Sequence, residues 1–383
     1  MILIIISIFL FVSYAFLLML YKRGWNRQTI HNEQQGIASY RSITVIIPAR
    51  NEEDNIATCI RSILNNDYPK ELLEIILIDD FSEDKTAEIG TALLQNNNGS
   101  VLQLKNYLSK DERLNSYKKK ALEIAIGQAK GEWIITTDAD CTVPVNWLKQ
   151  MVQPMQDERV KFIAAPVSFT PALPHANGLY YFQSLDFMTM QGITAASVAM
   201  NLGNMCNGAN LAFHKKVFDE VGGYQGIDHI ASGDDMLLMH KIQLRYPSGI
   251  FYLKSAEAIV HTPAQPDWNS FLNQRIRWSS KADKYDDKKL TIILAFVYFF
   301  NVSFIPLLIA GFFHYFYWIW MLGMLFAKVF VELLFLVPVA RFYGKMKELW
   351  YFPLFQPMHI GYIIMAGFLG KFGTYQWKGR TVK

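Results

Sequence analysis

The chain has 383 residues, a formal net charge of +4 and 51% hydrophobic residues. This length allows a large core and more than one module, and so small a net charge argues against nucleic acid as a partner. The first 21 residues and most of the chain after Leu290 are apolar and aromatic, whereas the middle is mixed. We therefore predict a membrane protein with a globular α/β domain between its anchors.

The cysteines and histidines predict neither a disulfide framework nor a zinc site. Cysteines occur singly, without CxxC spacing, as is typical of a domain in a reducing cytoplasm. The three cysteines are Cys59, Cys141 and Cys206. His229, His240 and His261 also lack ligand spacing, so we interpret them as surface or core residues.

The N-terminal segment is predicted to be an uncleaved membrane anchor. Residues 1–21 carry no charge and are about long enough to cross the hydrocarbon core. Lys22, Arg23 and Arg27 follow this segment, and no positive region or small-residue cleavage site marks it as a secretory signal. Its C-terminal end is expected in the cytoplasm.

Two apolar runs, residues 42–48 and 73–80, predict β-strands that alternate with helices. The acidic stretch 50–54 opens the first helix, and the second begins at Ala87. The inner face of the first helix is expected to carry Ile56, Cys59, Ile60 and Ile63. This alternation indicates βαβ units in a parallel sheet, and the lack of GxGxxG and GKS/T loops argues against dinucleotide-binding and P-loop folds.

Residues 133–140 read as a buried strand that ends in Asp138 and Asp140. Two Asp at i and i+2 of a strand project to one side, where a divalent cation carrying a diphosphate would relieve their repulsion. Hard oxygen ligands suit Mg²⁺ or Mn²⁺. The alternative is a solvated turn, in which Asp is common.

Polar side chains are expected together at the carboxyl ends of the strands. The residues 48–52, the pair Asp79 and Asp80, and the two later Asp all fall there, where parallel sheets bind ligands. Lys118 begins a run of three lysines at the start of a helix, where the dipole disfavours cations, so we predict an anionic partner for this run.

The order of motifs resembles the family 2 glycosyltransferases, inverting GT-A enzymes that use nucleotide-diphosphate sugars. Residues 207–213 look like the strand lining the sugar site, and residues 232–238 like the acidic pair before a helix. Residues 274–278, QRIRW, look like the QxxRW signature of the membrane-bound members, which include cellulose, chitin and hyaluronan synthases and ceramide glucosyltransferases. The resemblance covers residues 42–278 and implies a Rossmann-like mixed sheet.

The resemblance also implies a set of donor-binding residues. These are Pro48, Arg50, Glu52, Asp79, Asp80, Lys118 and Asp138. Glu52, Asp79 and Asp80 would hold the uracil and ribose of a UDP-sugar, and Lys118 would reach the diphosphate. Arg50 replaces a common Tyr, so it is expected at the base or phosphate in place of aromatic stacking.

The remaining implied roles are catalysis, metal binding and acceptor binding. Asp138 and Asp140 would hold Mg²⁺ or Mn²⁺, and Asp235 beside Asp234 would deprotonate the acceptor hydroxyl. The acceptor end and the leaving diphosphate would be contacted by Asn207, Gly208, Gln274, Arg277 and Trp278. Two alternatives remain: the acidic pair as a helix cap and Trp278 as an interfacial anchor.

The segment of residues 188–205 is amphipathic but too short and polar to span a membrane. It is interpreted either as a helix on the membrane surface, where lipid-linked acceptors would arrive, or as a core helix.

Three apolar runs after the domain, 290–313, 318–339 and 350–369, predict further membrane segments. The last contains two prolines, a glutamine and a histidine, so it is interpreted as spanning, re-entrant or interfacial. Lys328 and Glu332 lie one turn apart and are expected to face each other, a neighbouring helix or the acceptor path. The side of the C-terminus stays open, with its basic residues favouring the cytoplasm.

The sequence thus predicts four parts: an anchor (1–21), a cytoplasmic GT-A domain (41–285), a transmembrane or interfacial region (290–370) and a basic tail (371–383). The expected protein is a multi-pass inner-membrane enzyme that moves a sugar from a UDP-sugar to a lipid or short glycan. The alternative enzyme is a processive β-polysaccharide synthase. The gating loop of cellulose synthases is not recognisable, although residues 377–380 would serve a similar covering role. A non-catalytic membrane scaffold is the rival from another class.

Overall fold

A computed structural model describes residues 1–31, 39–108, 114, 116–172, 175–230, 232–280, 287–372, 375–377 and 380–382. The helices are α1 (Ile2–Arg27), α2 (Ile56–Leu64), α3 (Thr86–Leu94), α4 (Tyr117–Gln128), α5 (Trp147–Val152), α6 (Gly178–Met200), α7 (Lys215–Glu220), α8 (Met236–Arg245), α9 (Trp268–Ser279), α10 (Lys288–Val302), α11 (Phe304–Gly311), α12 (Phe316–Phe342) and α13 (Phe352–Phe372). The strands are β1 (Ile43–Ala49), β2 (Leu73–Asp79), β3 (Gly99–Gln103), β4 (Trp133–Thr136), β5 (Phe162–Ala164), β6 (Val167–Thr170), β7 (Leu211–His214), β8 (Ile250–Tyr252), β9 (Val260–Pro263), β10 (Tyr375–Trp377) and β11 (Arg380–Val382).

A seven-stranded mixed sheet forms the centre of the globular part, in the order β3-β2-β1-β4-β7-β5-β8. Strands β1 to β4 run parallel, β7 is antiparallel to both β4 and β5, and β8 is parallel to β5. The predicted alternation of strands and helices is confirmed, as is the mixed α/β fold, although strand β3 was not predicted. The carboxyl ends of β1, β2 and β4 meet at one edge of this sheet.

The first βα loop differs from the sequence prediction, because helix α2 begins at Ile56 and the acidic stretch 50–54 precedes it. Asn51 has a left-handed φ of 51°, which interrupts any helix there. Its side-chain oxygen accepts a hydrogen bond from the Glu83 backbone N–H at 2.9 Å, and its own N–H donates to Ser82 Oγ. The loop after β1 is therefore tied to the loop after β2. The four residues predicted for the inner face of this helix are all buried.

Two predicted strands are shorter than the sequence suggested. Strand β4 ends at Thr136, and a turn closed by the Cys141 N–H and the Asp138 carbonyl follows it. Asp138 and Asp140 therefore lie in a loop, and the prediction that strand alternation orients them was wrong. In the same way β7 begins at Leu211, so Asn207 and Gly208 lie in the turn before it.

Helix α6 is a core element between the sheet and the apolar helices. Its buried residues occur on all sides, and it packs against α1, α12, α13 and the strands β6 and β8. Of the two interpretations for residues 188–205, the core helix is the one that the structure shows. Beyond Met200 the chain leaves the helix.

Four helical segments are long and apolar enough to cross a membrane: Ile2–Arg27, Lys288–Gly311, Phe316–Phe342 and Met346–Lys371. The last includes α13, which stays helical through Pro357. Within the predicted basic tail, strands β10 and β11 pair in antiparallel orientation. Within the predicted covering stretch 377–380, Lys378 and Gly379 lie outside the described residues.

Helix α1 continues past the predicted anchor and packs tightly on α6. A Cβ atom at Gly24 would lie 2.5 Å from the Ala196 carbonyl oxygen and 2.8 Å from Met200 Cγ, so the backbones approach too closely for any other residue. At the next residue, the buried Lys254 donates to the Trp25 carbonyl at 2.9 Å and lies over the Trp25 indole ring. The anchor is thus part of the folded unit.

We expect Gly24→Ala to lower stability by about 1–3 kcal/mol through overpacking, although alanine alone favours a helix. The matched control is Gly323→Ala, a helical glycine of α12 with nothing within 4 Å of its Cβ position. Thermal unfolding of the purified protein in detergent should show a lower midpoint for the first variant and an unchanged or higher midpoint for the second. Equal midpoints for both variants would contradict the close α1–α6 contact.

Candidate functional site

One cavity of about 1240 Å³ opens above the carboxyl edge of the sheet and continues between the apolar helices. The predicted site residues lining it are Pro48, Arg50, Glu52, Asp80, Lys118, Asp138, Asp140, Asn207, Gly208, Asp234, Asp235, Gln274, Arg277 and Trp278. Asp79 alone among the predicted set does not line it. The structure therefore brings residues from seven separate stretches of sequence into one space.

The loops after β1 and β2 form the first wall of this cavity. Arg50 Nη1 donates to the backbone carbonyls of Asp80 and Phe81 at 2.8 and 3.2 Å, so its guanidinium joins the two loops. Glu52 Oε2 accepts from Asn55 at 2.9 Å. Asp79 is buried below this wall, where one of its oxygens lies 3.4 Å from the Ser82 N–H.

Lys118 lies between carboxylates from two parts of the chain. Its Nζ is 2.9 Å from Asp138 Oδ1 and 3.3 Å from Asp234 Oδ2. Burial alone would lower the pKa of Lys118, but the charges of Asp138, Asp234 and Asp235 raise it above its ordinary value. The lysine therefore stays a cation and joins the donor side of the cavity to the acidic pair.

The other two lysines of the run also have partners within the chain. Lys119 is buried and donates to the carbonyls of Ile227 and Ile230 at 2.6 and 2.7 Å, which holds the segment before the acidic pair. Lys120 lies 2.9 Å from Glu123. Within the chain, Lys118 and Lys120 thus contact carboxylates, whereas Lys119 contacts neutral carbonyl oxygens.

Asp235 lies at the centre of the cavity wall as the N-cap of α8. Its Oδ1 accepts from the Met236 N–H at 2.7 Å, and its Oδ2 accepts from the Gly208 N–H at 3.0 Å. The Gly208 carbonyl in turn accepts from Thr136 Oγ1 at the end of β4. The helix-cap interpretation is thus correct as geometry, and the same bonds hold the carboxylate rigidly beside the cavity.

Helix α9 carries the QRIRW stretch along the opposite wall. Gln274, Arg277 and Trp278 line the cavity, and the Trp278 ring lies 6.1 Å from the Phe187 ring of α6. Phe187 is buried in the core, and the half-buried Trp278 packs against it. Gln274, Arg277 and Trp278 therefore line the same cavity as the acidic pair.

Several lining residues were not predicted from the sequence. Arg275 and Asp186 form a buried ion pair at 2.8 Å on the cavity wall, and His359 and Tyr362 of α13 contact the same carboxylate. Burial alone would raise the pKa of Asp186, but Arg275 and His359 lower it to about 2. One signal was available, since a single carboxylate in an otherwise uncharged helix requires a buried partner.

The carboxylates of the cavity could ligate a divalent cation. Within the described residues, no three His, Cys, Asp or Glu side chains form a preformed metal site. Asp138 and Asp140 nevertheless both line the cavity, and Mg²⁺ is commonly held by one or two carboxylates together with substrate phosphates and water. The carboxylates present therefore fit a cation that arrives with a diphosphate.

Comparisons with known proteins bear on this site. Residues 44–222 match the model of the family described as Glycosyl transferase family 2. The glycosyltransferase AglE of Haloferax volcanii is 28% identical over 195 residues, which are 51% of this chain and 59% of that protein. The beta-monoglucosyldiacylglycerol synthase of Trichormus variabilis is 25% identical over 252 residues, 65% of this chain and 50% of that protein. The matched part is less than two thirds of either relative's length.

Among solved structures, the mannosyltransferase PcManGT from Pyrobaculum calidifontis, in complex with GDP-Man and Mn²⁺, superposes with a TM-score of 0.60. It is 17% identical and covers 96% of this chain and 98% of its own, so the similarity concerns the fold. The sheet order, the matched domain and these relatives agree with the fold class expected from the sequence. Over residues 44–222, this chain is therefore similar to the family 2 glycosyltransferases.

Proposed function

We propose that this protein is a membrane-bound, metal-dependent inverting glycosyltransferase. It transfers a sugar from a UDP-sugar to a hydroxyl group of a lipid or short glycan at the cytoplasmic face, through a GT-A domain at residues 41–285. The observation that carries the proposal is the single cavity that joins the βα loops, Asp235 and the apolar helices. Donor, base and a lipid acceptor would meet there.

The chemistry follows from the position of Asp235. Its carboxylate accepts the proton of the acceptor hydroxyl as the oxygen attacks the anomeric carbon. The bond from that carbon to the diphosphate oxygen breaks, and the electron pair leaves with UDP. One direct displacement inverts the anomeric centre, so an α-linked donor yields a β-linked product.

The leaving diphosphate carries negative charge that the cavity must stabilise. Arg277 lines the cavity and can donate two hydrogen bonds at once to phosphate oxygens. Lys118 is a cation within reach of the same region, since it already contacts Asp138. Asp138 and Asp140 would hold Mg²⁺ or Mn²⁺, which neutralises the diphosphate and favours its departure.

The apolar part of the cavity favours a lipid acceptor. Its lining includes Leu17 of α1, Ile193 of α6, Val297 of α10, Leu336 of α12 and Ile363 of α13. All but α6 belong to the candidate membrane spans, so this wall would open toward hydrocarbon. Similarity to the beta-monoglucosyldiacylglycerol synthase of Trichormus variabilis supports the same choice.

The cytoplasmic orientation rests on the basic end of α1. Lys22, Arg23 and Arg27 follow the apolar part of this helix, and Lys and Arg are enriched on the cytoplasmic side of membrane segments. Because α1 packs on α6 at this end, the globular part lies on the same side as these charges.

A donor screen tests the proposal. The full chain, purified in mixed micelles with diacylglycerol, is incubated with UDP-glucose, UDP-galactose, UDP-N-acetylglucosamine or GDP-mannose, and nucleotide release is measured. We expect release from a UDP-sugar that stops with EDTA and returns with Mg²⁺ or Mn²⁺, because two carboxylates alone do not neutralise a diphosphate. Asp138→Ala is the matched variant and should lose release even with excess metal.

The products separate the alternatives. An organic-soluble product of one size supports transfer to a lipid, whereas a polymer identifies a processive β-polysaccharide synthase. Release from GDP-mannose alone would contradict the UDP assignment. Full release in EDTA would contradict metal dependence, and no release from any donor would support the scaffold.

A further inference from the structure

Arg275 lies inside the QRIRW stretch, yet it does not face a substrate as a free cation. Its side chain is 3% exposed and its Nη1 donates to Gln274 Oε1 at 2.6 Å. The guanidinium carbon lies 4.6 Å from the Phe271 ring centroid and 4.4 Å from the Trp278 centroid. A guanidinium held between two aromatic rings restricts both of them.

Asp186 of α6 fixes this guanidinium in place. Its Oδ2 accepts from Arg275 Nε at 2.9 Å, and Nη2 lies 2.8 Å from the same oxygen. The carboxylate is 4% exposed, so the pair is desolvated and each charge depends on the other. The next residue along α6, Phe187, also lies near Trp278, with ring centroids 6.1 Å apart, and stacks on Phe169.

The pair is also fixed from the membrane side. Tyr362 of α13 donates to Asp186 Oδ1, and His359 Nε2 lies 3.5 Å from that oxygen. Helices α9 and α13 approach so closely that a Cβ at Gly370 would lie 2.7 Å from Ser279 Cβ. Three helices therefore meet at one carboxylate on the wall of the cavity.

We propose that Asp186 and Arg275 are positioning residues that hold the Trp278 indole at the acceptor end of the cavity. Arg275 is bound by Asp186, Gln274 and two rings, so its charge acts on the indole rather than on the diphosphate. Asp186 acts one contact further away and joins α6 and α13 to α9. This inference rests on the proposed function, because it assigns the acceptor end to Trp278.

The test compares Arg275→Gln, Trp278→Ala and the double variant in the full chain, with diacylglycerol in phosphatidylcholine vesicles as acceptor probe. We expect Arg275→Gln to raise the acceptor KM by about tenfold or more with little change in the donor KM, since small displacements of a positioning group are costly. The double variant should be no worse than Trp278→Ala, because residues acting through one group are not additive. Arg61→Gln, at an exposed arginine of α2, is the matched control and should match wild type.

Two further measurements keep the test decisive. If Arg275→Gln fails to fold, Asp186→Asn/Arg275→Gln removes both charges and leaves no unpaired ion, and it replaces the single variant. If diacylglycerol is not used, the additivity of the single and double variants is measured on the rate of donor hydrolysis, in which water takes the acceptor's place. Additive losses, or an unchanged acceptor KM in Arg275→Gln, would overturn the positioning role.

Failure of the proposed function can be distinguished from failure of the positioning role. A wild-type protein that turns over no nucleotide sugar contradicts the proposed function. The positioning role is then decided by the unfolding midpoints of the same variants. The 4.4 Å contact between Arg275 and the Trp278 ring predicts non-additive shifts of the midpoint. Additive shifts would overturn the positioning role.

Discussion

Replacing Asp235 with Asn is expected to lower the rate of sugar transfer by a factor of about 10²–10⁴, the usual contribution of a general base. Asn has the same shape and is a good N-cap, but it has one acceptor oxygen, so it can keep the bond from the Gly208 N–H or the bond from the Met236 N–H and not both. What it loses is the ability to accept the proton of the acceptor hydroxyl. The change should therefore appear in kcat, with the donor affinity close to wild type.

The measurement is initial velocity over a range of donor and acceptor concentrations, together with calorimetric binding of the nucleotide sugar. Asp219→Asn is the matched control, because Asp219 is an exposed carboxylate on α7 outside the cavity. A wild-type kcat in Asp235→Asn would show that another group takes the proton. In that case Asp234, which contacts Lys118, would be the next carboxylate to replace.

The sequence predicted that the polar residues after β1, β2 and β4 come together, because the signals for this are local. Each apolar strand is followed within two or three residues by polar side chains, so β1, β2 and β4 carry Glu52, Asp80 and Asp138 to one edge. That rule depends only on parallel βα connectivity, which the spacing indicated. The rule does not depend on the residue at which each strand ends. Asp138 therefore lies at the expected edge of the sheet although the predicted end of β4 was wrong.

Contacts across the fold could not be predicted in this way. Asp186 and Arg275 are 89 positions apart and meet only because α6 and α9 pack together. Lys118 was expected at a diphosphate, yet its carboxylate partners come from the ends of two other elements. Side chains with several chemically equivalent partners need the packing of the whole chain before one partner can be chosen. The strands β5 and β8 illustrate the same limit, since three apolar residues give too short a pattern.

The buried polar cluster of the apolar helices could be predicted from the sequence only in part. Adjacent charges at Lys328 and Glu332 were expected to face each other, and their side chains lie 2.5 Å apart. Gln356 of α13 completes the cluster, accepting from the lysine and donating to the carboxylate, both at 2.7 Å. Tyr14 of α1 donates to the same carboxylate. Three of the candidate membrane spans are therefore joined by one set of hydrogen bonds.

Replacing Lys328 with Met is expected to cost about 3–5 kcal/mol of stability, because it leaves the Glu332 carboxylate buried without its counter-ion. Lys328 is fully buried, so water cannot replace the lost partner. The double variant Lys328→Met/Glu332→Gln removes both charges and should recover most of the loss. The measurement is thermal unfolding in detergent. The matched control is Lys216→Met, which breaks an exposed Lys–Glu pair at i and i+4 whose atoms are 3.9 Å apart. This control should change the unfolding midpoint little. Equal shifts of the midpoint in Lys328→Met and Lys216→Met would show that the buried ion pair does not join these helices. A double variant less stable than Lys328→Met would show the same.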